Sequence, residues 1–254
     1  MAGNNIEEKL YQSIFKRKSI RKYSQEPLEM HKLNQIRDFL ASRSGLYSNI
    51  DVESKIVSED KISSLLPIKA PHYLVFFSEE KDGYLQNAGF ILQHLDLYLS
   101  LIGLGSCWFG LAKAKKEIAE QSQLSYVITL AFGAAEEKLY RENKAEFQRK
   151  ELQELRDKDI HDELIEAARL APSATNNQPW YFKVSQNRID LYLEKPNLLK
   201  KIFYQKMNQI DIGIAAAHLK LAATHYNKDD KFLFNCPKAD QLVDYLYQFS
   251  LKVN

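Results

Sequence analysis

The ten residues from Ala171 to Trp180 read Ala-Pro-Ser-Ala-Thr-Asn-Asn-Gln-Pro-Trp. Hydroxyl and amide side chains on a proline-stiffened turn offer short polar groups and backbone N–H donors. Far upstream stands Arg17-Lys18-Ser19-Ile20-Arg21. Two arginines around a serine make an oxyanion grip, because guanidinium forks match phosphate oxygens. Together the clusters imply one bound molecule with a phosphate at one end and a polar body at the other. Arg17 and Arg21 share a face if helical, and Arg17, Ser19 and Arg21 share a side if extended. The same stretch also reads as a solvated basic run, since five of the seven residues from Lys16 to Lys22 are basic.

The elements that must position these residues follow from periodicity. Helices are predicted at Ile6–Phe15, from Glu26-Pro27 through Leu40, at Tyr84–Leu101, Ile160–Leu170 and Ile210–Thr224, and a closing one at Asp240–Leu251. Strands are predicted at Tyr73–Phe77, Tyr126–Phe132, Trp180–Val184, Arg188–Glu194 and Lys231–Phe234, the middle two a hairpin across Gln186-Asn187. Residues 42–60 read as loop. Gly103 through Gly110 read as a glycine-capped helix end with a tight turn. Cys107 reads as a small buried residue, and Gln178 and Trp180 as structural.

The chain has 254 residues and a net charge of +2, with 45% hydrophobic and 27% charged residues. So balanced a charge gives no ground for expecting a nucleic-acid partner. Two distant cysteines, Cys107 and Cys236, argue against a disulfide framework and fit the reducing cytoplasm. The polar Met1–Lys9 stretch does not read as a signal peptide, and the apolar Leu95–Trp108 run is too interrupted to span a bilayer. No Cys-x-x-Cys, His-Glu-x-x-His or Walker-type loop supports metal or nucleoside-triphosphate chemistry.

The charged stretch Glu136–Lys158 is the expected connector between two halves, residues 1–150 and 151–254. Gly89, His94, Leu95 and Leu97 recur as Gly213, His218, Leu219 and Leu221 at a constant offset of 124. Such a repeat points to a duplicated module, with both histidines as packing groups.

Arg17-x-Ser19-x-Arg21, Gly103-Leu104-Gly105-Ser106-Cys107-Trp108 and Ala171-Pro172-Ser173-x-x-Asn176-x-Gln178-Pro179-Trp180 together resemble the FMN-dependent nitroreductase family. The resemblance implies an α+β nitroreductase-like fold around a mixed β-sheet. It also implies NADH- or NADPH-dependent reduction of nitroaromatic, quinone-like or related aromatic acceptors. FMN carries that chemistry by shuttling hydride, so no catalytic side chain is named.

By the same resemblance Arg17 meets the FMN phosphate, beside Ser19, and Arg21 lies near the N1/O2 edge of the ring. The backbone at Phe109 and Gly110 approaches N5, and Arg149 with Lys150 completes the phosphate cradle. Pro172, Ser173, Ala174 and Asn176 form the opposite wall. The family's amide and lysine ahead of the Tyr73–Phe77 strand have no match in Ser63-Ser64-Leu65-Leu66-Pro67, and Lys69 is displaced. The pyrimidine contact is therefore unassigned.

Family members are homodimers whose flavin sites draw on both subunits. Here Ala41-Ser42-Arg43-Ser44-Gly45-Leu46 stands where a first Pro-Ser-x-x-Asn would fall, and no Arg-x-Ser-x-Arg precedes Ile160. The implied protein is a fused pseudo-dimer with one FMN per chain, working as a monomer. The alternative is a flavin-binding or regulatory protein of the same fold with little turnover.

Overall fold

The computed structural model describes residues 6–64, 68–195, 201–234 and 239–254. Leu65, Leu66, Pro67 and Cys236 lie outside them. The chain divides into two compact units, the first Lys16–Asn143 and the second Met1–Phe15 with Lys144–Asn254. The division falls inside the expected connector, seven residues before the expected boundary at 150/151. The N-terminal helix, assigned by sequence to the first half, belongs to the second unit. It does so because α1 (Ile6–Ile14) buries Leu10 and Ile14 and packs along α7 (Lys201–His225). There Tyr11 stacks on His225, whose Nδ1 lies 2.6 Å from Glu8.

In the first unit α2 (Met30–Ala41) precedes β1 (Val52–Val57), β2 (Ile62–Ser63) and β3 (His72–Ser78). Then come α3 (Tyr84–Leu101), β4 (Gly105–Trp108), β5 (Lys113–Ala114), α4 (Lys116–Ala119) and β6 (Ser125–Gly133). The main sheet runs β1-β3-β6-β4, with β2 and β5 forming a separate ladder. All seven residues of β3 are buried, and α3 is buried nearly all round, as expected of a helix apolar on every face.

The second unit holds α1, α5 (Leu152–Leu155), α6 (Asp162–Arg169), β7 (Trp180–Ser185), β8 (Arg188–Glu194), α7, β9 (Phe232–Leu233) and β10 (Tyr245–Lys252). α6 carries Asp162 and Glu163 in its first turn and Arg169 in its last, which complements the helix dipole. Its sheet runs β7-β8-β10-β9.

Leaving aside α1, α4, α5 and the β2–β5 ladder, each unit reads helix-strand-strand-helix-strand-strand, and each main sheet orders its strands first-second-fourth-third. The ends of the long helices agree bond by bond. In α3 the N–H groups of Ile102, Gly103 and Leu104 donate to the carbonyls of Tyr98, Ser100 and Leu99. In α7 those of Tyr226, Asn227 and Lys228 donate to Ala222, Thr224 and Ala223. Every donor and acceptor is shifted by 124 residues. Gly103 and Asn227 both take the left-handed conformation, at φ 80° and 53°, that this helix end requires.

Four expectations are corrected. The 240–251 segment forms strand β10, because Tyr245, Tyr247, Phe249 and Leu251 alternate and pair with β8. Strand β1 was hidden in the expected loop because it is polar and sits at a sheet edge. The Gly103–Gly110 turn contains β4, whose strand character comes from its pairing with β6. The named strands pair antiparallel throughout, and parallel pairing is confined to the isolated bridges Ser19–Ser106 and Arg156–Phe182.

Candidate functional site

In the first unit the arginine-serine-arginine segment is extended. It runs beside β4 through an Ile20 N–H bond to the Ser106 carbonyl (2.9 Å), and beside residues 134–141 through bonds at Lys16, Lys22 and Ser24. Close seating on β4 depends on Gly105, where a Cβ would stand 2.8 Å from the Ile20 side chain.

The three candidate side chains differ sharply in exposure. Arg17 is 1% exposed. Its Nη2 donates to Ser19 Oγ at 2.9 Å, and its Nε lies 2.9 Å from Asp96 Oδ2. Ser106 donates to the other oxygen of Asp96 at 2.5 Å. Asp96 is itself fully buried, so the charge of Arg17 is neutralised inside the unit. Ser19 is half-buried and Arg21 is exposed.

Glu137 accepts the backbone N–H groups of Arg21 (2.8 Å) and Lys22 (3.2 Å) and pairs with Lys18 at 2.9 Å. Desolvation opposes its ionisation, but these donors prevail and hold the carboxyl below its ordinary range. Burial pushes the Cys107 thiol up against the opposing pull of Arg21 and Arg17, which disfavours the thiolate.

Phe109 is buried, its N–H donates to the Thr129 carbonyl (2.9 Å), and its carbonyl accepts from Ala112 (3.1 Å). Of the Phe109–Gly110 pair, only exposed Gly110 is open to a ligand. A cavity of about 400 Å³ opens beside Phe109, lined also by Glu59, Asp60, Ile62, Ser64, Ile68, Lys69 and Tyr73.

In the second unit Arg149, Pro172, Ser173, Ala174 and Asn176 come together. Thr175, Asn176 and Gln178 all adopt positive φ, 52°, 58° and 49°. For a β-branched residue such as Thr175 this is a genuine outlier. The turn is held from several sides. Arg149 donates to Asn176 Oδ1 (2.5 Å) and Asn176 Nδ2 donates to the Gln148 carbonyl (2.8 Å). Lys150 N–H donates to buried Gln178 Oε1 (2.8 Å), and Gln178 N–H donates to Ser173 Oγ (2.9 Å).

Two residues in this neighbourhood escaped sequence reading. Asp211 of α7 is fully buried and both its oxygens lie 3.1 Å from the Ala174 nitrogen. Burial pushes its carboxyl up to about 8, only partly offset by the Ala174 N–H. Asn208, a turn earlier on the same helix face, is 3% exposed and its Oδ1 has no hydrogen-bond partner among the described residues. The available signal was a carboxylate inside the apolar run Ile210-Asp211-Ile212. Buried carboxylates are rare enough to count.

Residues 9–223 match the family described as "Putative TM nitroreductase". The chain belongs to that family. A crystal structure from Thermotoga maritima described as a "putative nitroreductase" is 18% identical, covers 96% of this chain and 94% of its own, and superposes with a TM-score of 0.63. The chain thus has the nitroreductase-like α+β fold. An FMN-dependent nitroreductase from Clostridium difficile is 22% identical over 55% of this chain and 93% of its own, with a TM-score of 0.45. A Bacteroides thetaiotaomicron protein described as an NADH dehydrogenase/NAD(P)H nitroreductase is 19% identical over 57% and 95%, with a TM-score of 0.44. No curated protein matches. Among the described residues no helix is long and apolar enough to cross a membrane, and no cluster of residues could hold a metal ion.

Proposed function

We propose that this nitroreductase-family chain is an FMN-dependent oxidoreductase that takes reducing equivalents from NADH or NADPH and passes them to nitroaromatic, quinone-like or related acceptors. The observation that carries the reading is the Ser173–Gln178 turn. Three non-glycine residues are held there in left-handed conformation by surrounding hydrogen bonds. Such strain costs about 1–3 kcal/mol per residue and persists at ligand clamps because the surroundings over-determine it.

The donor set fits FMN. Arg21 and Ser19 are accessible enough to meet a phosphate, with Arg17 behind them orienting Ser19. Within the second unit, Ser173, Asn176 and Arg149 offer polar contacts of their own. Asn208 Oδ1, without a hydrogen-bond partner among the described residues, can accept from a donor such as a ribityl hydroxyl. When bound, FMN supplies hydride acceptance and donation, while these residues bind and orient it. The backbone of Gly110 is the chain's open approach to the ring, and the cavity beside Phe109 would admit an aromatic acceptor.

We further infer that the two units descend from one duplicated module, the sense in which the chain is a pseudo-dimer. The shared strand order and the common offset of 124 support this. Each motif occurs once, so one FMN per monomeric, cytoplasmic chain is the expected ratio.

The test is flavin released on denaturation against protein, followed by anaerobic mixing with NADH or NADPH and reoxidation by a nitroaromatic. One FMN, bleached and then reoxidised, is expected. A ratio near two sinks the single-site reading. A yellow protein that stays oxidised makes it a flavin-binding protein without turnover.

A further inference from the structure

We infer that Asp211 is the positioning residue for the Ser173–Asn176 turn: its carboxyl group accepts the backbone N–H of Ala174 and so fixes the wall that FMN would meet. The functional half of this inference rests on the FMN reading above, whereas the pinning itself does not.

Three observations carry it. Asp211 is 3% exposed, and both oxygens lie 3.1 Å from the Ala174 nitrogen, the first residue of the turn. The turn's other contacts run to Gln148, Arg149 and Lys150, in a different segment of the chain. Asp211 is its buried anchor. A turn with Thr175 and Asn176 at positive φ is under backbone strain and relaxes unless its ends are held.

The third observation comes from the first unit. Asn87 stands 124 residues before Asp211, at the matching position of α3, and is 1% exposed. Its Oδ1 accepts the N–H of Tyr47 at 3.0 Å, in the loop after α2. Ala174 lies in the loop after α6, the matching helix. A Cβ added to Gly45 of the first loop would stand 2.4 Å from the same Oδ1, so that loop is seated directly on its anchor. One position in each long helix therefore holds the loop that follows the preceding helix. The first unit does this with an amide, which shows that hydrogen-bond acceptance, rather than negative charge, is the feature the fold uses.

The experiment compares the parent chain with Asp211→Leu, Asp211→Asn and Ala174→Pro. Leucine fills the volume without accepting a hydrogen bond. Proline removes the same bond from the loop side, after a Ser173 already extended at φ −142° and ψ 160° as a residue before proline must be. Amide exchange of residues 173–178 is read in the FMN-free protein, and FMN affinity by flavin fluorescence.

Loss of a bond to a buried group should speed loop exchange and raise the FMN Kd by about tenfold to a hundredfold in the leucine and proline variants. Asp211→Asn should stay within a few-fold of the parent in both readouts, as Asn87 does the same work. Parental exchange and parental affinity in Asp211→Leu would overturn the assignment. So would an asparagine variant no better than leucine. Should Asp211→Leu not fold, Ala174→Pro decides alone by the same two readouts. A parent chain that holds no FMN overturns the functional half, and loop exchange still decides whether Asp211 is the pin.

Discussion

The long helices α3 and α7 occupy matching places in their units, yet several polar residues on and just after them differ in kind. Asp96 and Ser106 of the first unit correspond, at the same offset, to Lys220 and Asp230 of the second. Asp96 is buried and paired with buried Arg17. Lys220 and Asp230 pair at 2.8 Å with both side chains 36% exposed. Asn87 corresponds to Asp211, and Gly105, pressed by Ile20, corresponds to Asp229, whose side chain reaches Lys252 at 2.9 Å. Backbone plan and apolar packing are thus held in common, while polar content follows what lies alongside. In the first unit that neighbour is the extended 16–24 segment; among the described residues of the second, no segment lies on β9 as 16–24 lies on β4.

The comparison breaks most decisively at Arg17. Arg17→Ala leaves buried Asp96 without its counter-ion and should cost about 3–5 kcal/mol, whereas Lys220→Ala should cost less than about 1 kcal/mol. Urea denaturation of the two variants measures both. Equal losses would mean that burial does not separate the two pairs. The finding also changes what Arg17→Ala means for FMN: weakened binding there would report lost structure as well as a lost contact.

A second difference is visible in pH. The Asp211 carboxyl is pushed up to about 8, while Asn87 does not titrate. The unfolded carboxyl titrates near 4. The folded protein therefore holds the proton more tightly, a contribution fully present below pH ~4 and lost as pH rises towards about 8. Thermal midpoints across that window should fall for the parent relative to Asp211→Asn. Asn87→Asp should introduce a similar slope into the first unit. Parallel curves for parent and Asp211→Asn would show that Asp211 is ionised throughout.

Smaller effects sharpen the picture at the glycines. Gly105→Ala must displace Ile20 and should cost about 1–3 kcal/mol, measurable as a lowered urea midpoint. Gly103→Ala should cost about 1 kcal/mol, since φ 80° disfavours a side chain although the space around it is open. Gly103→Asn should cost less, because asparagine already fills the same left-handed position at Asn227. If alanine and asparagine are equivalent at 103, the shared helix end is less demanding than its matching bonds imply.

Much of this protein was legible because its signals are local. Periodicity gave α3 with the ends the structure has, and the β7–β8 hairpin followed from alternation around Gln186-Asn187. The 124-residue repeat was visible in a handful of positions and recurs in helix ends, loop anchors and strand order. Short motifs pointed to the family that the match over residues 9–223 shows.

What escaped depends on partners distant in the chain. β1 and β4 are strands through pairing with β3 and β6, and β10 through pairing with β8. Neither propensity nor spacing separates the buried Arg17 from the exposed Arg21, two arginines of the same motif. Asp96 decides that, from a helix nearly 80 residues away. Asp211 likewise acquires its meaning only when α7 brings it beneath Ala174. The sequence by itself determined which groups could do chemistry, because residue type and short-range spacing are local. Tertiary structure decided which of them are neutralised and which remain open, because burial and charge pairing belong to the packed chain.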